Sequence, residues 1–278
     1  MDKALSLTTI LALTGRGLRA GVWSLVALVA AIAGFTFVQP VVIASFGGAD
    51  ALNAIMSRIP PAFQAFARTR PEFLAMTGLP GYLSLGFTHP IYIVLSGAAV
   101  IGFAARILAG EMASGAIQLP LSRSVSRPTL YLASVLGITV VIVLAAAAGP
   151  LGMLAGILYA KPGAFPVSHL WPMSIVCFAL LWAIAGLSLL FSSVANRAGQ
   201  VIGWALGLLL FSYFVDYFAG VWDPLRAILF LSLFEYFAPT QTLVNGVADM
   251  RNTGILLATG SIALLAGFIV FTRRDLPA

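Results

Sequence analysis

The sequence predicts an all-α integral membrane protein with six transmembrane helices, and three observations carry that prediction. Of 278 residues, 60% are hydrophobic and only 9% charged, with a mean hydropathy of +1.02, whereas a soluble domain carries about 25% charged residues. Uncharged runs such as 73–105 and 128–160 exceed the roughly 20 residues that cross a hydrocarbon core. Between these two runs lies a polar island, Gly110–Arg127 (GEMASGAIQLPLSRSVSR), which has to emerge from the membrane. Arg123 and Arg127, with Arg106 beside them, assign it to the cytoplasmic side.

Residues 1–20 carry Lys3, Arg16 and Arg19 among Leu5, Leu7, Ile10, Leu11 and Leu13, the pattern of an interfacial helix. Span 1 is expected over 22–44. No cleavable signal precedes it, because the first long apolar run begins only near Gly21 and lacks a small-residue cleavage site. The segment 46–82 holds Asp50, Arg58, Arg68, Arg70 and Glu72, with apolar residues near helical spacing. It reads as an extracytoplasmic loop with one interfacial helix, broken at Pro60–Pro61. Span 2 follows over 87–108. Within the island, Glu111 and Gly115 lie four apart ahead of Ile117, Leu119 and Leu121, so a short amphipathic helix is expected, limited by Pro120.

Span 3 is expected over 130–159, with a kink at Gly149–Pro150. A short outer turn, 161–171, leads to span 4 over 173–195. Asn196–Arg197 is a tight cytoplasmic turn before span 5, 199–219. The apolar piece Ala227–Phe234 is too short to cross a bilayer, so an outer re-entrant or interfacial segment is expected there. Span 6 covers 254–272.

Charge tests this topology. Nine basic and three acidic residues fall on the inside, six basic and six acidic on the outside, so the net charge of +6 resides on the inner face. Both termini are therefore expected in the cytoplasm. The same count explains the sequence pI near 9.9 without nucleic acid. The single cysteine, Cys177, cannot form an intrachain disulfide.

No catalytic constellation is present. There is no G-x-x-x-x-G-K-[ST], and the only lysines are Lys3 and Lys161, so nucleotide binding by a P-loop is excluded. His89 and His169 lack a third metal ligand, and both suit the membrane boundary. Asp216 is the one acid near a span, expected to cap a helix or pair with Arg226. Small residues instead mark packing. Gly199, Gly203 and Gly207 recur every four residues on span 5, as Gly152 and Gly156 do on span 3, and such stripes let helices approach closely in lipid. Within one chain or between two chains are both open for span 5. Gly203→Leu is expected to weaken a dimer more than Gly260→Leu in span 6.

The island resembles the loop between the second and third spans of ABC-2-type transporter permeases. Glu111, Gly115, Leu121, Ser122, Val125, Ser126 and Arg127 fall in register with that family's loop, while Ala116, Pro120 and Ser124 depart from it. Leu231–Leu243 (LSLFEYFAPTQTL) and the tail Phe271–Leu276 resemble the family's corresponding segments. The resemblance implies a single permease domain over 1–278 in the plasma membrane (the inner membrane of a bacterium), with residues 1–20 as its elbow. It implies a coupling helix in which Glu111, Gly115, Leu121, Ser122, Arg123, Ser126 and Arg127 meet a separate ATPase subunit, present in two copies. ATP and magnesium would belong to that subunit; no cofactor is expected in this chain. It further implies a second permease subunit packed through spans 1 and 5, hence through Gly199, Gly203 and Gly207. The implied activity is ATP-driven export, and spans poor in acids suit an amphipathic or lipid-like cargo. Two alternatives come from other classes. An ion-coupled secondary transporter needs intramembrane ionisable residues, which the spans lack. A non-transporting anchor or enzyme subunit would need a partner surface or a reactive cluster, and no cluster is seen.

Overall fold

The computed structural model describes residues 7–56, 71–118, 122, 125–219 and 222–274. Among these there is no strand, and six helices are long and apolar enough to span a membrane. Helix α1 (Leu7–Arg19) precedes span 1, α2 (Val22–Ser45). Helices α3 (Ala49–Met56) and α4 (Pro71–Thr88) follow. Span 2 is α5 (Pro90–Ala113), whose residues Ala105–Gly110 form a π-helix. Span 3 is α6 (Arg127–Ala160), span 4 is α7 (Leu170–Val194) and span 5 is α8 (Ala198–Ala219). A 3₁₀-helix over Asp223–Leu231, α9 (Pro239–Asn245) and span 6, α10 (Met250–Arg273), complete the chain.

Spans 2 and 4 form the centre. Their apolar windows are 67% and 61% buried, against 22% for span 1 and 28% for span 5. Glycine decides how closely the helices cross. A Cβ at Gly152 would stand 2.1 Å from the Ala33 carbonyl oxygen, and one at Gly156 would stand 2.4 Å from that of Phe37. The span 3 stripe therefore seats span 1 directly on backbone. Spans 4 and 6 meet the same way, with a Gly186 Cβ 2.2 Å from the Gly260 carbonyl oxygen. Gly260 is thus no neutral comparison for a dimer test, because it lies at the tightest point of an intrachain crossing.

Span 3 passes through the expected kink position without a break in the helix. One helix of 34 residues runs through Gly149–Pro150, and the missing side chain of Gly149 makes room for the rings of Phe87 and Tyr92. Other boundaries move for local reasons. Span 2 starts at Pro90, where His89 caps the helix by accepting a hydrogen bond from the Ile91 N–H at 3.2 Å. Phe87, expected at the head of span 2, belongs instead to α4. Tyr82, Leu83 and Phe87 of α4 are buried, although Tyr82 and Leu83 were expected at the edge of an outer loop. The Tyr82 hydroxyl donates to Asn53 Oδ1 at 2.6 Å, and Ser84 meets Thr240 of α9 at 2.7 Å. A break at Gly78, with φ +57 and ψ −143, turns α4 back toward the bundle. The Pro60–Pro61 break lies outside the described residues. Span 6 begins at Met250 because Asp249 accepts from the N–H groups of Arg251 and Asn252 at 2.8 and 3.1 Å.

The piece expected at Ala227–Phe234 is a 3₁₀-helix with no buried residue, followed by an anchored turn. There the Ser232 hydroxyl donates to the Ser212 carbonyl at 2.9 Å, and the Leu233 N–H donates to Ser212 Oγ at 2.7 Å. Arg226 pairs with Asp223 at 3.3 Å. His169 Nδ1 lies 2.7 Å from the Leu243 carbonyl oxygen, at the end of α9. Each histidine thus has its own structural role, and the described residues contain no group of three potential metal ligands.

Candidate functional site

The polar island leaves the bundle at the same end as α1, the turn after span 4 and the end of span 6. Its first residue in register with the expected motif, Glu111, ends span 2 rather than starting a separate helix. The α-helical turn stops at Ala113, and the chain reverses at Gly115, where φ is +70. No side chain would be obstructed at Gly115, so glycine is required there by the left-handed backbone. Two backbone bonds close the reversal, from Ile117 N–H to the Glu111 carbonyl and from Gln118 N–H to that of Gly115, both 3.1 Å. Ile117 is buried, so the apolar side of the island is pinned inward. Helical backbone resumes at Gln118. The short amphipathic helix expected in the island is thus interrupted over 114–117, and its residues 119–121 lie outside the described residues. The left-handed residue ends one helical turn before another can start.

Both ends of the island are held, and by different helices. At its start, Arg16 Nη2 of α1 donates to both carboxylate oxygens of Glu111, at 2.8 and 2.9 Å. Helix α1 is itself fixed to the bundle. The Thr14 hydroxyl donates to the Ala133 carbonyl of span 3 at 3.0 Å, and Gly17 lies against Ile107. The guanidinium of Arg106 occupies the space where a Gly21 side chain would stand, between α1 and span 1, and lies 5.8 Å from the centre of the Phe103 ring. Arg106 therefore braces the α1–α2 corner, beyond any role in topology.

At the other end, Ser126 is the N-cap of span 3. Its hydroxyl accepts from the Thr129 N–H at 3.3 Å, and proline follows within the first turn. The next residue, Arg127, donates to the carbonyls of Thr272, at 3.5 Å, and Arg274. Arg274 in turn donates to the carbonyls of Ser193 and Ala195 at 3.0 and 3.1 Å, and to the Asn196 side chain. Two cations are tolerated side by side because they sit at the negative ends of spans 4 and 6, on carbonyls that those helices leave unpaired. Ser122 is exposed. Leu121 and Arg123 lie outside the described residues.

The third set of expected residues behaves differently. A Cβ at Gly199, Gly203 or Gly207 would meet nothing within 4 Å among the described residues. The stripe faces away from the bundle, on a face shared with Ile202, Leu206 and Leu210.

The profile of the ABC-2 family transporter protein matches residues 21–276. The chain belongs to the ABC-2 transporter family. Among curated proteins, none matches it. The family match spans all six long helices and the island between spans 2 and 3. Like its family, this ABC-2 protein carries no nucleotide-binding motif of its own.

Three features of this ABC-2 chain were beyond local sequence reading. Arg16 and Glu111 meet across 95 positions, and Arg127 and Thr272 across 145. Arg16 counted in the sequence only as an inner-face charge, and Glu111 and Arg127 were singled out with no partner within this chain. The third is Ser192 in span 4, whose hydroxyl enters the backbone of span 2. Its only sequence signal is a hydroxyl pair, Ser192–Ser193, near the end of an apolar span.

Proposed function

We propose that this chain is the membrane-spanning subunit of an ATP-driven ABC-2-type transporter, exporting an amphipathic or lipid-like substrate and energised by a separate ATPase present in two copies. Family membership supports the class. The observation that carries the reading is the island's double attachment, to α1 through Glu111 and to the end of span 6 through Arg127, with Arg274 joining that end to span 4. A push on a loop held at one end only would be absorbed by the loop. Held at both ends, it moves two groups of helices against each other. In this reading residues 1–278 form one permease domain, α1 is the interfacial elbow, the island docks on the ATPase, and the segment between spans 5 and 6 lies at the outer interface. A second permease subunit packs on the span 5 glycines, and a path opens between the two copies.

The test is assembly with the ATPase. Glu111→Ala and Gly115→Leu should insert normally yet lower the ATPase rate of the complex, the latter through a backbone strain of about 1–2 kcal/mol at one left-handed residue. Arg127→Lys should fall between them and wild type, because lysine keeps the charge but loses the planar fork. If all three variants stimulate a bound ATPase like wild type, the island is only a topological anchor.

Orientation is tested separately. In a Cys177→Ser background, cysteines at Ser126 and Thr272 should be shielded from an impermeant thiol reagent in intact cells, and one at Ser168 should react. Labelling at Ser126 from outside would overturn the cytoplasmic placement of the island and of both termini.

A further inference from the structure

Span 2 is an α-helix except over Ala105–Gly110, where it widens into a π-helix. Such turns are uncommon, and their usual cause is something lodged in the hydrogen-bond ladder. Here the lodged group is visible. The hydroxyl of Ser192 donates to the Ala104 carbonyl at 2.7 Å and accepts from the Ala109 N–H at 3.1 Å. These two backbone groups are five residues apart, the spacing of a π-helical bond, and Ser192 bridges them from span 4. It is fully buried. Two residues further on, the Glu111 N–H bonds to the Arg106 carbonyl, again five residues back.

A π-turn amounts to one residue added to an α-helix. Closing it would rotate everything after it by about 100° and advance it by about 1.5 Å. The residue immediately after this turn is Glu111. Its carboxylate reaches Arg16 only at the present rotation; a turn of that size would carry it off the α1 side of the helix. The neighbouring groups agree with the present setting, since Gly17 of α1 lies on Ile107 and the Gly21 corner on Arg106, both inside the π segment.

We infer that Ser192 is a positioning residue for coupling: by holding the π-turn open it aims Glu111 at Arg16 and so sets how the island joins α1. The hydroxyl is fully buried and bonds only groups of span 2 in the bridge described above. It acts through the backbone of span 2, so span 4 and the elbow are linked by a two-bond bridge. A rearrangement of span 4 that withdrew the hydroxyl would let span 2 close to α-helix and release Glu111 from α1. This inference rests on the coupling role proposed for the island.

The experiment has two arms. In the first, the purified lone permease carries cysteines at Arg16 and Glu111 in a Cys177→Ser background, and a short bis-maleimide measures their proximity. Ser192→Ala should lower the cross-linking rate by a factor of about three to ten, the equivalent of one buried hydrogen bond. Threonine and valine at 192 share one shape and differ in the hydroxyl, so Ser192→Thr should cross-link faster than Ser192→Val even if both are crowded. In the second arm, the complex of otherwise native permease with its co-purified ATPase is assayed for ATP hydrolysis. Ser192→Ala should keep the amount of bound ATPase and lose stimulation, with Thr above Val again; a purely structural role would lower folded yield instead. Equal cross-linking by Ala and wild type, or by Thr and Val, overturns the positioning claim. Changed cross-linking with unchanged stimulation overturns its link to coupling. A wild-type permease that retains no ATPase removes the coupling reading underneath, while the first arm still reports on the π-turn.

Discussion

Gly260→Leu should leave little folded protein. A Cβ at Gly260 would stand 2.4 Å from Trp182 Cδ1 and 2.5 Å from the Trp182 carbonyl oxygen. The carbonyl belongs to a helix backbone and cannot swing aside as a side-chain tip could. Among the described residues, spans 4 and 6 form the most extensive helix pair, so separating them would loosen the whole bundle. Overpacking a core typically costs about 1–3 kcal/mol and occasionally more. Against the Trp182 backbone the upper end applies, which corresponds to a fall in melting temperature of about 10 °C for a chain of this size. Fluorescence-detected gel filtration and thermal unfolding in detergent would read it. A melting temperature unchanged from wild type would mean that spans 4 and 6 do not cross at these glycines.

Gly203→Leu should do the opposite, leaving the single chain as stable as before while lowering its dimer fraction. Among the described residues nothing lies near the Cβ position at Gly199, Gly203 or Gly207, so leucine there disturbs no contact with them. Between two chains it would hold the backbones apart and remove close van der Waals contact, the main source of helix association in lipid. Loss of about 1.4 kcal/mol of association is a tenfold weaker dimer. The proper comparison is Gly254→Leu in span 6, also in open space, rather than Gly260→Leu. Energy transfer between labelled copies in bilayers would measure both. An equal dimer fraction for the two variants would show that the span 5 stripe meets lipid alone.

These two glycines show what was legible in the sequence. The spans themselves were readable, because hydropathy over a bilayer's thickness is a long and redundant signal. Spacing every four residues was readable on spans 3 and 5, but it marks a capacity for close approach and names no partner. Gly152 and Gly156 found span 1; Gly199, Gly203 and Gly207 found nothing among the described residues. The start of span 2 was misplaced because one unbroken apolar run hides the change from α4 to span 2, and only His89–Pro90 marks it locally. The island's position was evident from its charges. Its internal shape was not, since Gly115 as a turn and Gly115 as a close contact look alike until its φ is known. Glu111, Arg127 and Ser192 acquire their roles from residues far along the chain, and no local window contains both halves of such a pair.

The double attachment of the island also has an order in time. When Glu111 is synthesised, its partner Arg16 already exists, 95 residues earlier. When Arg127 is synthesised, its acceptor at Thr272 is still 145 residues away, roughly 7 to 30 seconds of translation at about 5–20 residues per second. During that interval the island is anchored to the elbow and loose at its exit. Under the coupling role proposed above, a nascent chain would display its ATPase-facing loop early, and that loop would become a lever only once the last helix has been inserted. Completion of span 6 would then be the step that fixes the island at both ends.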